Sequence, residues 1–359
     1  MTDVSSLSTA QTATAKKRKS SSLWKYLLVR LLLIIPTVWI LVTMVFLLMR
    51  VTGDPISAAL GDRLPADQLA ARIEEAGYNR PLYEQYFEYL GGLLRGDFGT
   101  TISDNRPVLD VLMTYGPATF ELAFYGLVVA FIVGIPLGRI AAYRRDKWQD
   151  AGLRTFAILA YAVPVFFAGL MLKLIFSVWL GWLPVAGRIS TGSRRDLILI
   201  DNPTGIYLID AIQTGEPAVV LDVLSHAVLP ALALGLLTAG VFLRLVRTNM
   251  IGTLGTEYIT AARSRGVREH RLIATHAWRP ALIPIITVIG MQIAMLLGGA
   301  VLTETTFEWQ GLGYQLIEYI KARDFVAVQG IVALLAVIVA VSNFIVDVIA
   351  AFIDPRVRY

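Results

Sequence analysis

The sequence predicts an all-α protein that crosses a membrane six times. Hydrophobic residues occupy 56% of the 359 positions and charged residues only 16%, whereas soluble domains carry about 25% charged residues. The mean hydropathy of +0.62 agrees with this. A helix needs about 20 apolar residues to cross a hydrocarbon core of about 30 Å. Six stretches have that length: 24–49, 118–142, 153–180, 224–243, 281–302 and 326–352.

The first 22 residues differ from the rest of the chain. They are rich in Ser, Thr and Ala, carry a Lys-Lys-Arg-Lys cluster at 16–19, and contain almost no large apolar residue. We therefore predict a disordered cytoplasmic tail over 1–22. The apolar stretch that follows exceeds the core of a signal peptide and has no small-residue cleavage site before Arg50. It is predicted to be an uncleaved first transmembrane helix over 23–50.

The distribution of Lys and Arg predicts the orientation. Six spans put both termini on one side, and the segments on that side carry 20 Lys and Arg residues against 11 on the other. Because basic segments tend to stay in the cytoplasm, both termini are expected to be cytoplasmic.

Two segments on the opposite side are too long to be simple connections. Residues 51–117 are predicted to form an extracytoplasmic segment, with helices near 67–75 and 82–93. Residues 187–225 form an extended outer loop for which the sequence indicates no role. Residues 118–359 as a whole are predicted to be a five-helix core.

Several polar side chains lie within the apolar stretches. Lys173 falls in the third stretch, where a cation costs about 2.5–3.5 kcal/mol at the bilayer centre. It is a possible pathway residue, although a long side chain also reaches an interface easily. Glu121 is expected to pair or to lie at a helix end. Asn343 and Asp347 are one helical turn apart and are expected to hold the last span to a partner or to the segment 249–279.

Metal chemistry is not predicted. The chain has no cysteine and three histidines. His226, His270 and His276 lack the spacing of a zinc-binding helix. The sequence therefore indicates no metal site.

The segment 249–279, between the fourth and fifth stretches, is the most informative polar region. Read as one helix, it has a face of apolar and small side chains: Ile251, Leu254, Tyr258, Ala261 and Ala262. Gly266 would then release the backbone into a turn. The residues alone leave two interpretations open, a basic loop on anionic lipid headgroups or a short helix that docks into another protein.

Residues 257–284, EYITAARSRGVREHRLIATHAWRPALIP, resemble the Glu-Ala-Ala loop of ABC importer permeases, in the version found in dipeptide, oligopeptide and nickel permeases. Glu257 lies four residues before the alanines, as is usual in the peptide branch. Gln310 departs from the family, which usually has proline there. Further motifs agree along the chain: YNRPLYEQYFEYLGGLLRGDFGT (78–100), GIPLG (134–138), LPVAGR (183–188), HAVLPAL (226–232), LLGGAVLTETTFEWQGLG (296–313) and SNFIVDVIAAFIDPRVRY (342–359).

The resemblance implies the fold, the location and the partners. The fold would be a type I ABC importer permease with six transmembrane helices, in the bacterial inner membrane. The partners would be a second homologous permease, two ABC ATPase subunits and an extracytoplasmic solute-binding protein, besides the lipid bilayer. ATP and Mg²⁺ would be used by the ATPases, and this chain would bind no cofactor.

The resemblance also implies two sets of functional residues. In the family, the loop forms a coupling helix that sits in a cleft of the ATPase, which gives this role to Glu257, Tyr258, Ala261, Ala262 and Gly266. The segment after the first span would line the outer gate or face the solute-binding protein through Arg80, Pro81, Gln85, Tyr86, Gly96, Asp97 and Phe98.

The expected function is therefore a permease subunit for dipeptides or oligopeptides. No glycine directly precedes a lysine, so the chain has no G-x-x-x-x-G-K phosphate loop, and it has no Gly-x-Ser-x-Gly turn. It is not expected to be an enzyme or to bind nucleic acid. The alternatives are an importer of nickel complexes or other small solutes, and an ion-driven carrier or channel. A carrier would need charged relays within the spans, where only Lys173 is plainly central.

Overall fold

The computed structural model describes residues 23–51, 53–61 and 64–353. The predicted tail over 1–22 lies outside these residues. The helices are α1 (Leu23–Val51), α2 (Pro55–Leu60), α3 (Ala66–Glu75), α4 (Leu82–Leu94), α5 (Val108–Tyr143), α6 (Trp148–Ala162), α7 (Val165–Leu172), α8 (Thr191–Ile198), α9 (Tyr207–Gln213), α10 (Pro217–Leu254), α11 (Glu257–Ser264), α12 (Glu269–Arg271), α13 (Trp278–Phe307), α14 (Leu312–Lys321) and α15 (Phe325–Ile353), with π-helical segments at Lys173–Trp179 and Leu272–Ala277.

Six membrane crossings are present if each bent pair of helices counts as one. Four helices of the described chain are long and apolar enough to cross without interruption: α1, α5, α10 and α15. The pair formed by α6 with α7 and its π-helical extension bends by 105°, and the pair 269–282 with 284–293 bends by 49°. The all-α membrane fold is thereby confirmed, with four to six candidate spans among the described residues.

The third predicted span is not a straight helix. Its chain turns sharply at Val163, which is extended, and Pro164, which begins the next helix. Proline disfavours helical geometry in the residue before it, so α6 ends there. The apolar composition of 153–180 gave no indication of the angle, because both arms are apolar.

α5 and α10 form the centre of the bundle. In the most apolar window of α10, 61% of the residues are buried, against 17% in α1. Glycine permits the close approach of the two helices, since a Cβ at Gly134 would lie 2.7 Å from the Ala239 carbonyl oxygen and one at Gly235 would lie 2.6 Å from the Gly126 carbonyl oxygen. Small residues serve this purpose in membrane bundles, where apolar lipid provides no hydrophobic drive for association.

α1 packs on the outside of the bundle against α15. The guanidinium of Arg30 lies 3.1 Å from the Asp347 carboxylate. Asp347 was predicted to hold the last span either to a partner or to the segment 249–279. The contact with Arg30 holds it to another helix of the chain. That helix is α1, and the segment 249–279 is not involved.

Two ends of the bundle can be distinguished. One end, called here the α11 end, carries α11 and the junction between α5 and α6. The opposite end, called the α8–α9 end, carries α2 to α4, α8, α9 and α14. The Arg30–Asp347 contact joins the start of α1 to the end of α15, and the Asp150–Arg247 contact joins the start of α6 to the end of α10.

The predicted helices near 67–75 and 82–93 are confirmed as α3 and α4. The extended loop 187–225 also folds, into α8, α9 and the first turns of α10. These elements share a small apolar core of Leu197, Ala211, Val219 and Val223.

Two helices begin earlier than the hydrophobic stretches predicted. α5 starts at Val108, where Val108, Val111 and Leu112 pack against α14 and α15. α10 starts at Pro217, so His226 lies within the helix, with Nδ1 2.8 Å from the Asp222 carbonyl oxygen.

Candidate coupling surface and the opposite cap

α11 has a well-defined beginning and end. Gly255 closes α10, and Thr256 is extended, so the chain leaves one helix before it enters the next. At the far end, Gly266 has a φ of +80°. The amide of Gly266 donates to the Arg263 carbonyl (2.9 Å), and that of Val267 donates to the Ala262 carbonyl (3.3 Å). This is the Schellman arrangement, in which a left-handed residue, usually glycine, ends the helix.

Two buried side chains attach α11 to the bundle. Ile259 is fully buried and Ala262 nearly so. Ile259 belongs to an apolar cluster that includes Ala142 at the end of α5, Met250 on α10 and Ala281 on α13. The Tyr258 hydroxyl donates to the carbonyl of His276 at 3.2 Å. α11 is therefore joined to α5, α10 and α13 through one shared apolar cluster.

The opposite face of α11 is exposed. Glu257, Thr260, Ala261 and Ser264 recur at helical spacing on this face, and all four are exposed. Glu257 lies in the first turn, where a negative charge suits the helix dipole. The surface is polar, with a small side chain at its centre.

A single ion pair braces the turn after α11. Arg263 Nε lies 2.5 Å from Glu269 Oε1, and both side chains are about half exposed. The hydrogen bond to Glu269 raises the pKa of Arg263 above its usual value. Arg263 therefore stays charged near neutral pH.

The predicted helical face needs correction. A single helix through 251–262 would have placed Tyr258, Ala261 and Ala262 on one face. In the structure Tyr258 and Ala261 are exposed, and Ile259 and Ala262 are buried. The break at Gly255 and Thr256 resets the helical phase, which the periodicity argument did not allow for. Ala262 consequently supports α11 from inside, and Ala261 is the alanine that a partner could touch.

At the α8–α9 end, a buried ion pair fixes the former loop 187–225 to the bundle. The guanidinium nitrogen Nη2 of Arg188 donates to Glu121 Oε2 at 2.6 Å and to the Gly205 carbonyl at 2.9 Å. The other oxygen of Glu121 accepts hydrogen bonds from the Leu208 amide and the Tyr125 hydroxyl, both at 2.9 Å. The pairing expected of Glu121 is confirmed, and its partner is Arg188.

A second buried carboxylate joins α13 to α14 and α5. Glu304 is fully buried. Its oxygens accept from the Thr119 hydroxyl (2.6 Å) and from the Tyr314 amide (2.9 Å) in the first turn of α14. Gly311 and Gly313 are required nearby, since a Cβ at Gly311 would come within 2.5 Å of the carboxylate.

The predicted outer residues divide into packed and exposed groups. Gln85 is buried and donates to the carbonyls of Tyr78 and Arg80. The Tyr86 hydroxyl lies 2.6 Å from the Thr43 hydroxyl on α1. Phe98 packs partly buried against the cluster at the start of α5. These three side chains hold α4 and the following loop against the spans.

The remaining outer residues are exposed or shape turns. Arg80 pairs with Glu88, and Pro81 precedes α4. Gly96 adopts a φ of +80°. Asp97 accepts a hydrogen bond from the Gly99 amide at 2.9 Å. Their assignment to an outer gate or to a binding-protein surface stays a prediction.

Three of the predicted outer residues border one cavity of about 350 Å³ between α1, α4 and α15: Gln85, Asp97 and Phe98. Burial raises the pKa of Tyr89, which also lines it, to about 12. The Tyr89 phenol is therefore neutral at physiological pH.

Lys173 is engaged within the protein. Its amine donates to the Thr306 carbonyl at 2.8 Å and lies 5.8 Å from the centre of the Phe307 ring. Both residues belong to the end of α13, where unpaired carbonyls and the helix dipole favour a cation. This contact gives Lys173 a structural partner, and a pathway role stays a prediction.

Sequence reasoning missed Arg188, Glu304 and Asp324 as organising residues. Arg188 and Glu304 stood within the quoted motifs LPVAGR and TETTF, yet nothing in the sequence indicated what they touch. Buried Asp324 accepts hydrogen bonds from the amides of Ile102 and Ser103 at 2.7 and 2.8 Å. A charged residue directly before a long apolar stretch was the available signal. Among the described residues, no cluster of His, Asp or Glu could hold a metal ion.

These features define a multi-span membrane protein in which one short helix, α11, is buried on one face and exposed on the other. Residues 134–359 match the family described as the inner membrane component of binding-protein-dependent transport systems. The chain belongs to this family and is a permease subunit of the ABC importer type, which confirms the resemblance found in its motifs.

Two relatives cover nearly the whole chain. The di/tripeptide transport system permease protein DppB of Pseudomonas aeruginosa (strain UCBPP-PA14) is 38% identical, over 92% of this chain and 97% of its own length. The glutathione transport system permease protein GsiC of Escherichia coli O1:K1 / APEC is 32% identical, over 93% and 99%. Among solved structures, the inward-facing MetNI methionine ABC transporter aligns with a TM-score of 0.48 and 15% identity, over 66% of this chain and 93% of that chain.

Proposed function

We propose that this chain forms half of the translocation pathway of an ATP-driven importer for short peptides, and that α11 receives the movement of an ATPase subunit. The observation that supports this most is the double character of α11. One of its faces is buried among α5, α10 and α13, and the other is exposed and carries small and polar side chains.

The anchoring of α11 provides a physical route for coupling. A partner that binds more tightly in one state than in another shifts the equilibrium between them by that difference in affinity. Because Ile259 and Ala262 fix α11 to the spans, a movement of α11 cannot be absorbed by a flexible loop. ATP and Mg²⁺ would act in two ATPase subunits, and this chain would work with a second permease and an extracytoplasmic solute-binding protein.

The proposed substrate class is short peptides. One close relative is named for di- and tripeptides and another for glutathione, which is itself a tripeptide. Specificity within this class would depend largely on the solute-binding protein. Nickel complexes are the second candidate from the family, but neither of these relatives favours them.

A pair of tryptophan substitutions tests the coupling role. Ala261→Trp places a bulky ring on the exposed face of α11, and Ala151→Trp places one at an exposed position on α6 at the same end of the bundle. The measurement is ATP-driven peptide uptake in proteoliposomes that contain the whole importer. Ala261→Trp should lose most of this uptake, whereas Ala151→Trp should retain it. Normal uptake by the Ala261 variant would contradict the assignment.

Orientation can be tested separately, because the chain contains no cysteine. We expect the α11 end and both termini to be cytoplasmic. Ser264→Cys on α11 should resist a membrane-impermeant maleimide added to spheroplasts and react only after lysis. Thr191→Cys on α8 should react before lysis. The reverse pattern would place α11 outside and exclude an intracellular ATPase as its partner.

A further inference from the structure

A cavity of about 400 Å³ lies between α6 and α10 near the α11 end. Three of its lining side chains are cations: Arg154, Arg244 and Arg247. The other lining residues are apolar except for Tyr161. No residue of α11 lines this cavity.

The register of the two helices separates the cationic and apolar parts of the cavity. Arg247 forms a paired contact with Asp150, at 2.6 and 2.7 Å. Gly240 on α10 and Ala157 on α6 each lie seven residues further into the bundle, and their backbones are in contact. A Cβ placed on Gly240 would lie 3.0 Å from the Ala157 carbonyl oxygen. α6 and α10 are therefore antiparallel here.

Arg154 and Arg244 lie at the level between these two contacts. Ile158 and Tyr161 lie further from the α11 end, about 6 and 10 Å along α6 from Arg154. The cavity is thus cationic towards the α11 end and apolar towards the middle of the span.

The positive charge of the cavity exceeds the nearby negative charge. Asp150 is the carboxylate that contacts these arginines, and it is fully engaged by Arg247 and by the Asp146 amide at 3.0 Å. Arg154 Nε is 3.8 Å from Asp150, at the limit of an ion pair. Arg244 is exposed and has no ion pair among the described residues. The carboxylate of Asp146 also attracts Arg247, but Asp146 lies outside the cavity and pairs with Arg145. Counting Asp150 against the three guanidinium groups leaves an excess of two positive charges.

We propose that this cavity binds an anionic phospholipid. The headgroup phosphate would lie between Arg154 and Arg244, and an acyl chain would follow Ile158 and Tyr161. These two side chains are 67% and 61% exposed on a membrane-spanning segment, which suits contact with lipid. Basic pockets between transmembrane helices on the cytoplasmic side bind anionic headgroups by this combination of charge and depth.

The charges of the cavity disfavour a transported peptide as its occupant. A zwitterionic peptide has an ammonium group that needs an acidic partner, and the carboxylate at this site is already neutralised by Arg247. Phosphatidylglycerol carries one negative phosphate and no ammonium group, so it places no cation against the arginines. The site is independent of the proposed role of α11.

Photolabelling of the complete importer tests the proposal without any variant. The complex is placed in phosphatidylcholine nanodiscs that contain a trace of phosphatidylglycerol with a diazirine in its acyl chain. We expect cross-links on α6 and α10 at the cavity, with competition by unlabelled phosphatidylglycerol and none by phosphatidylcholine. Equal labelling by a phosphatidylcholine probe, or no labelling because another subunit fills the cavity, would overturn the proposal.

Two double variants with the same change in charge sharpen the result. Arg154→Gln with Arg244→Gln removes the two available cations, whereas Arg144→Gln with Arg145→Gln removes two exposed cations from the same end of the bundle. Losing two cations near an anionic headgroup should raise the probe concentration for half-maximal labelling about thirtyfold. The control should stay near the wild type. Equal shifts in both variants would show general surface charge instead of a site.

Discussion

At the α8–α9 end of the bundle, the paired side chains of Arg188 and Glu121 are 7% and 1% exposed, whereas the pair on and beside α11, Arg263 and Glu269, is 49% and 47% exposed. The first pair is enclosed by backbone amides and aromatic rings. The second is surrounded by solvent. Both consist of an arginine and a glutamate, so the difference comes entirely from their surroundings.

This contrast indicates what each end is built to do. A charge pair taken out of water is held in one geometry, because breaking it leaves an uncompensated buried charge. An exposed pair has a water-solvated alternative and contributes little to stability. The α8–α9 end is thus fixed against the spans by its polar contacts. α11 is fixed by apolar contacts on one face and keeps its polar face available to a partner.

The largest effect is expected from Arg188→Gln. Glu121 would remain buried without its cation, at a cost of about 3–5 kcal/mol in the free energy of unfolding. Denaturant titration of the detergent-solubilised chain measures the loss. Arg145→Gln removes an exposed arginine and serves as the control.

A double variant then separates charge from packing. Glu121→Gln combined with Arg188→Met leaves no unpaired charge and should lose less stability than Arg188→Gln alone. If the single variant is as stable as the control, the ion pair does not hold the 187–216 segment.

A smaller effect is expected from Asp324→Asn. This side chain accepts hydrogen bonds from Ile102, Ser103 and Ala327 with both oxygens, and an amide offers a single acceptor. We expect a loss of about 2 kcal/mol, together with faster hydrogen exchange in the loop 100–107. Asp110→Asn, at an exposed ion pair, should leave exchange in that loop unchanged. Protection of the loop equal to wild type in the Asp324 variant would show that the loop is held by other contacts.

The third effect is local to the α11 end. Gly266→Ala forces a side chain into the left-handed region, at a cost of about 1 kcal/mol, although nothing lies within 4 Å of the new Cβ. Hydrogen exchange should quicken at the end of α11 and leave the spans unaffected. Gly252→Ala, in helical geometry on α10 and with the same free space, should not weaken the helix. Similar exchange in both variants would mean that the turn after α11 is not set by Gly266.

The smallest effect on stability is expected from Arg263→Gln. The pair with Glu269 is exposed, so the free energy of unfolding should not change measurably. Any loss of ATP-driven uptake in this variant would then report on contact with a partner. A clear loss of stability would instead show that the turn after α11 depends on this pair, and the contrast between the two ends would fail.

Sequence patterns predicted some elements closely and others wrongly, for physical reasons that can be named. α3 and α4 were predicted because they are short amphipathic helices with clear ends. The shared face predicted for 251–262 was wrong because a two-residue break between α10 and α11 changes which side chains lie on the same side. The bend at Pro164 was missed because both arms are apolar and a proline within a span does not by itself fix an angle.

The sequence by itself determined the membrane-spanning class, the family and the glycine turn at Gly266, because hydropathy, motif order and left-handed backbone geometry are properties of neighbouring residues. Only the tertiary structure decided that Arg188 meets Glu121, 67 positions away, and that arginines of α6 and α10 share a cavity. Such contacts depend on how helices pack, and packing brings together residues whose spacing along the chain carries no signal of the meeting.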